Sequence, residues 1–250
     1  MNRFKFFFPV ILFAVSVQCT GDMQTELVFA DEKCLPDAKD KYIYPVVPDM
    51  EEWSVASSEK REKFMQLPTG KLKSLSTFAL LQSLLDKPLL QLDYLSSGNI
   101  SPIGTCYKIY SSHNSIPAFE GRKDAVSALM MYYEAICFDC LRVFDFEARG
   151  KFSIQLTILE ILFTREKILR QLDTAQKKQV VVLLLEKCRR KQDERIGING
   201  SLAAMAWIMY EDKYLPVIAF YGSGELSNEW FAVYGDQEND IILFAENYTN

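Results

Sequence analysis

Histidine is almost missing from this chain. His113 is the only one in 250 residues, so any Ser–His–Asp triad or imidazole acid–base mechanism has to run through that position. No Gly-x-Ser-x-Gly elbow is present to expose a nucleophile. The glycines at 197, 200, 222 and 224 lack the spacing of a phosphate-binding loop and read as turns. A basic surplus is missing too: 28 Lys and Arg stand against 33 Asp and Glu. That argues against a nucleic-acid partner, because phosphate recognition needs a basic face that releases counterions. Past residue 17, no apolar run approaches the ~20 residues that a bilayer-spanning helix requires.

What is present begins at the first residues. Arg3 and Lys5 form a short basic start, Phe6 to Val17 is almost wholly apolar, and Gln18-Cys19-Thr20-Gly21-Asp22 follows. This layout of charged, apolar and processing regions predicts an export signal over residues 1–18. Two processing sites are open. Cleavage after Ser16 follows from the small residues Ala14 and Ser16. Cleavage before Cys19, with lipid attached to that cysteine, follows from the likeness to bacterial lipoprotein signals. Gln18 and Ser16 depart from that pattern, and lipid attachment at Cys19 is favoured. The membrane is then a partner through a lipid anchor. Without the lipid the protein is periplasmic or secreted. Losing Arg3 and Lys5 takes the net charge from −5 to about −7, which leaves a mildly acidic surface.

Residues 19–49 mix charges with Pro36, Pro45 and Pro48 and show no sustained period, so they are expected to form an extended tether. From residue 50 to 250 helical signals dominate and predict a single all-helical domain. Ser57 or Ser58 caps a helix running to Gln66. Ser76 caps another, with Phe78, Leu81 and Leu85 inward, that stops before Pro88. Ser101-Pro102 starts a third. Asp124 opens a helix carrying Val126, Leu129, Met130 and Tyr133. Ile154, Ile158, Ile161 and Leu162 repeat the same spacing.

Asp173 caps the clearest helix, Thr174 to about Lys191. Val180, Val182 and Leu183 widen its apolar stripe, so it is expected to lie centrally. Its basic end, Lys187 to Lys191, reads as a solvated cap on the helix dipole. Gly200-Ser201 begins a further helix with Leu202, Met205, Ala206 and Met209 inward. Leu215 to Tyr221 is either helix or a short buried strand, Trp230 to Tyr234 alternates weakly, and Asp240 to Asn247 closes the core. The fold class is all-α. The helices form either stacked hairpins in an irregular α-solenoid of HEAT or armadillo type, or a globular helical bundle.

Candidate chemistry is sparse. Cys137-Phe138-Asp139-Cys140 has the spacing of a redox pair or half a metal site. It follows a helix and not a strand, so a local bridge or two packed thiols is expected. With one histidine and no second cysteine pair, no metal and no cofactor are expected. Cys188 lies on an apolar helix face as a buried free thiol. His113 sits in a polar stretch between helices and reads as a cap or solvated turn. Glu120, Asp124, Glu134 and Asp139 are near one another in sequence and are the candidates for a carboxylate pair. Arg122 is expected to reach a neighbouring carboxylate or the open carbonyls of an earlier helix.

One stretch is familiar. It runs Leu75-Ser76-Thr77-Phe78-Ala79-Leu80-Leu81, Asp86-Lys87-Pro88-Leu89-Leu90, His113-Asn114-Ser115, Arg122-Lys123-Asp124-Ala125 and Tyr133-Glu134. It resembles an uncharacterised family of exported, helical-repeat-like lipoproteins of Bacteroidetes. That family's pattern is Leu-Ser-Thr-x-x-Leu, Pro-Leu, Phe-Asn-Gly, Arg-x-Asp-Ala and a Tyr. The likeness covers roughly residues 66–136, with looser matches at 158–162 and 201–206. His113 stands where the family more often has Phe, and Ser115 where it has Gly. The resemblance implies a helical fold and an envelope location, and no reaction.

The expected function is a non-catalytic cell-envelope protein that presents a helical surface to an envelope protein, a peptide or a glycan. The alternative is an exported hydrolase of glycans or esters using His113 or a carboxylate pair.

Overall fold

The structure, a computed structural model, describes residues 27–28, 34–97, 101–222, 231, 233 and 235–250. The export signal, Ser16 and Cys19 lie outside the described residues. A single strand pairing occurs among those described: β1 (Leu27–Val28) runs antiparallel to β2 (Asp37–Ala38). Everything else is helix and connection, and the chain is all-α.

Side-chain caps set five of the helix starts, those of the second, fourth, sixth, ninth and eleventh helices. After α1 (Glu51–Ser54), Ser57 accepts from the Lys60 N–H and opens α2 (Ser58–Phe64). Following α3 (Thr69–Ser74), Ser76 accepts from the Ala79 N–H and opens α4 (Thr77–Leu85). Pro88 stops that helix, because its ring disfavours helical backbone in the residue before it. Leu89 then takes a left-handed turn, φ 61°, into α5 (Leu90–Ser96). Ser101 caps α6 (Pro102–Ser112), with Pro102 in the first turn, where its missing N–H costs nothing. There follow α7 (Ser115–Glu120), α8 (Ala125–Glu134), α9 (Phe146–Leu162) capped by Asp145, and α10 (Glu166–Leu169). Asp173 and Gln176 close a reciprocal capping box at the start of α11 (Thr174–Asp193). The last are α12 (Asn199–Glu211), α13 (Leu215–Tyr221) and α14 (Glu238–Thr249).

Two helices carry the packing. In α4 every residue is buried, under α7, α8 and β2. In α12 Gly200 to Tyr210 are buried without a break, beneath α9, α11, α14 and α6. A helix covered on all sides needs no polar face. Each buried Leu, Ile or Phe contributes about 1.5–3 kcal/mol. The buried residues of the two neighbourhoods belong to one continuous core. Because α12 meets α6 and α9, which come well before it in the chain, the arrangement is a globular bundle; a solenoid unit touches only its neighbours.

Three expectations need correction. Residues 34–49 are not a spacer: Cys34, Ala38, Tyr44 and Val46 are buried, and Asp40 binds the Ser76 N–H and hydroxyl at 2.7 Å each. These long-range contacts, and no local period, hold the segment on the domain. The central helix is α12, not α11, whose Val182 is 47% exposed. The basic end of α11 is not a solvated run, because Lys187 and Lys191 point inward. Of the open segments, Leu215–Tyr221 is helix, and 240–247 falls within α14, which buries Ile241, Ala245 and Tyr248. In the 230–234 stretch Phe231 and Val233 are buried, and the others lie outside the described residues.

Candidate functional site

The feature closest to a site is a cleft of ≈ 290 Å³ where the C-terminal end of α4 meets β2 and the first turns of α9. Each element supplies charge. Asp37 and Lys41, one turn apart, form an ion pair at 3.1 Å. Asp86 ends α4, and Lys151 projects from α9. The apolar wall is Phe144 and Phe152, and Cys34 lies at one edge.

Asp86 is oriented from behind. The Tyr132 hydroxyl lies 2.6 Å from Gln82 Oε1 and 2.8 Å from the Pro36 carbonyl oxygen and shares its hydrogen between them, and Gln82 Nε2 donates to Asp86 Oδ2 at 3.0 Å. Burial raises the Asp86 carboxyl above the usual carboxylate range, and the nearby Asp37 charge adds to this. The Gln82 hydrogen bond, Lys41 and Lys151 act the other way. A displaced carboxyl held in a cleft by fixed partners is the pattern that marks binding and catalytic sites. Two strongly exposed side chains flank the apolar wall in sequence, Val143 at 74% and Phe146 at 93%.

No family model, no curated protein and no solved structure matches this chain. The reading of the cleft therefore rests on its own residues.

The strongest polar cluster is sealed. Lys191 and Glu160 are both fully buried and paired at 2.9 Å. Glu160 also accepts from the Tyr133 hydroxyl and the Ser201 hydroxyl, each at 2.8 Å, while Lys191 reaches Ser201 Oγ at 3.1 Å. Gly200 makes room for the carboxylate: a Cβ there would stand 2.5 Å from Glu160 Oε2 and 3.0 Å from Thr157 Cα. The cluster links α8, α9, α11 and α12. With no opening to solvent it is a structural pin. Sequence periodicity counts both residues as polar and gave no signal of it.

His113 is also interior, 1% exposed, which corrects the solvated-turn expectation. The Tyr44 hydroxyl has one hydrogen and gives it to the Ser83 carbonyl at 2.7 Å. It must therefore accept from His113 Nε2–H, 2.8 Å away. Nδ1 is then the acceptor for the Ser115 hydroxyl at 2.7 Å. Hydroxyl, imidazole and hydroxyl in a row imitate a catalytic relay, but Ser115 is wholly buried and no substrate reaches it.

A neutral ring satisfies every partner, and burial, aided by the Lys87 charge, lowers the His113 pKa to about 3. In the unfolded chain the ring protonates near 6.5. The folded state binds fewer protons between those values, so stability is lost as pH falls below 6.5. Urea unfolding should show about 1.6 kcal/mol lost between pH 6.5 and 5. A His113→Gln chain should be less stable at neutral pH and flatter across that window.

The remaining expected residues are dispersed. Glu120 is buried against Arg165 at 2.6 Å, with Lys167 at 3.6 Å. Asp124 accepts from the Thr77 hydroxyl at 2.8 Å and ties α8 to α4. Asp139 faces Arg190 at 3.4 Å, and Glu134 is exposed. Among the described residues none of the four is hydrogen-bonded to another. The acids that do share a cleft are Asp37 and Asp86, which the sequence spacing did not join. Arg122 takes the second of its two expected roles and donates to the Leu72 and Leu75 carbonyls at 3.2 and 3.0 Å.

The Cys137–Cys140 local bridge is corrected: Cys140 is bonded to Cys34, and Cys137 is free and exposed. Cys106 and Cys188 are buried thiols. Among the described residues no group of His, Cys, Asp and Glu is placed to hold a metal.

Proposed function

We propose that this chain is an exported, non-catalytic binding protein of the cell envelope, and that it holds a peptide segment of an envelope partner in the cleft beside α4. The observation that carries this reading is the composition of the cleft. Two carboxylates and two ammonium groups sit beside a phenylalanine wall in a space at the small end of the range for ligand sites. Opposed charges at short spacing complement a peptide carrying both signs, and an apolar wall complements a neighbouring side chain.

Export is supported by the leader pattern of residues 1–18 and by the Cys34–Cys140 bond, a linkage that persists in oxidising compartments. In this reading Cys19 carries the lipid. The resemblance to the Bacteroidetes lipoproteins falls mainly on α3 to α8, the neighbourhood that builds one wall of the cleft.

One observation favours the hydrolase reading. A carboxyl displaced upward beside a second carboxylate is an acid–base arrangement.

The test is photo-cross-linking in the native cell, with the cross-linking residue at position 148, which lines the cleft. The expected result is one dominant envelope protein, joined through a single segment. A synthetic copy of that segment should bind the purified chain, and a Lys151→Glu chain should bind it at least about tenfold more weakly, the ~1.4 kcal/mol expected of a close charge pair. Capture that is unchanged by Lys151→Glu overturns the peptide site. Turnover of a glycan or ester by the purified protein, abolished by Asp86→Asn, overturns the non-catalytic reading.

A further inference from the structure

Three cysteines meet where the chain leaves α8, and only two are bonded. Cys34 and Cys140 form the disulfide, with Cα atoms 5.5 Å apart. The Cys137 N–H donates to the Cys34 carbonyl at 3.0 Å, and Cys140 Sγ lies 3.3 Å from the Cys137 carbonyl oxygen. Cys137 is therefore adjacent to both halves of the bond. It is also the exposed free thiol of the described residues. Cys106 and Cys188 are sealed in the core, and burial pushes the Cys188 thiol up to about 12.

Lys187 reaches over from α11 and donates to the Glu134 and Ile136 carbonyls, each at 3.0 Å, immediately before Cys137. The other charged groups around Lys187 are Glu186 and Arg190 on α11 and Glu134 on α8, and Asp139 stands on the cysteine's own turn, paired with Arg190. An exposed free thiol with a disulfide within one turn of it is the arrangement in which thiol–disulfide exchange occurs.

We propose that Cys137 is a reactive thiol whose substrate is the neighbouring Cys34–Cys140 bond. Cys137 gives its proton to solvent, and the thiolate attacks Cys140 Sγ. The Cys137–Cys140 bond forms and the Cys34–Cys140 bond breaks. Cys34 leaves as a thiolate and takes a proton from water. One thiol and one disulfide stand on each side, so no oxidant or reductant is consumed. The product bridge has the two-residue spacing of a redox pair. Its formation unclips Cys34, and with it the covalent hold on β2 and the segment after it.

The test is disulfide mapping of the purified full chain. The protein is held at pH 8 and at pH 6 without added thiol or disulfide, quenched with acid, digested under acid and analysed by mass spectrometry. The expected result is a Cys137–Cys140 peptide beside the Cys34–Cys140 peptide at a level above about one part in a hundred. It should appear about tenfold or more faster at pH 8, because the thiolate is the attacking species. A Cys137→Ser chain should show Cys34–Cys140 alone, and a Cys34→Ser chain supplies the Cys137–Cys140 peptide as a standard. If the parent chain shows no Cys137–Cys140 peptide after a day at pH 8, the proposal is overturned whatever the variants show.

Discussion

A Lys191→Met chain is expected to be about 3–5 kcal/mol less stable than the parent. Methionine has nearly the shape of the lysine stem, so little packing is lost. What remains is the Glu160 carboxylate, fully buried, with two hydroxyls as its only donors in place of an ammonium. An uncompensated buried charge costs far more than the net worth of the pair it came from. Urea unfolding followed by far-ultraviolet circular dichroism measures the loss. Adding Glu160→Gln to Lys191→Met should recover part of it, because the amide removes the charge and keeps the shape. A loss below 1 kcal/mol in Lys191→Met would show that Glu160 takes up a proton or finds water there, and that the pair does not hold α9, α11 and α12 together.

The second large effect concerns the disulfide. Cys34 and Cys140 are 106 residues apart, and a loop near that length restrains the unfolded chain by about 4.7 kcal/mol in the chain-entropy account. Losing a native bond costs about 2–5 kcal/mol in practice. A Cys34→Ala, Cys140→Ala double variant should therefore lower the urea midpoint strongly. Hydrogen exchange should quicken first in residues 34–49, which the bond holds on the domain together with the hydrogen bonds of Tyr44 to Ser83 and His113, Asp40 to Ser76, Tyr132 to Pro36 and Cys137 to Cys34. Protection that stays level across residues 34–49 while the midpoint falls would assign the effect to the unfolded chain alone.

The parts of the fold that were readable from sequence are those governed by local chemistry. Ser57, Ser76, Ser101 and Asp173 each cap the helix they precede, and Pro88 ends α4. A hydroxyl or carboxylate at a helix start satisfies a backbone N–H within three residues, so the signal is contained in a short window. The parts that were unreadable depend on distance. Tyr44 and His113 gain their meaning from each other across 69 residues. Lys191 is polar by type and buried by pairing, and nothing in its own neighbourhood announces Glu160.

The central helix was missed for a different reason. In α12 the periodic Leu202, Met205, Ala206 and Met209 are joined by buried Ala203, Ala204, Trp207 and Ile208 on the remaining faces, so the stripe understates the burial, whereas in α11 Val182 widens the stripe and is nonetheless exposed. The candidate cleft was hidden likewise. Asp37 falls in a segment with no periodic signal, and Asp86 stands beside a proline stop, where a terminal acid reads as routine.

The disulfide also decides how tension travels through the molecule. A pull on the chain ahead of Cys34 passes across the sulfur bridge to Cys140 and enters the bundle between α8 and α9. The residues between the two cysteines, including α4 and its cleft, lie inside a closed covalent ring and are bypassed. They stay folded while the strain is taken up along α9 and beyond. Were Cys34 released, the same pull would peel β2 and Tyr44 away first, and His113 would lose the hydroxyl that accepts its proton.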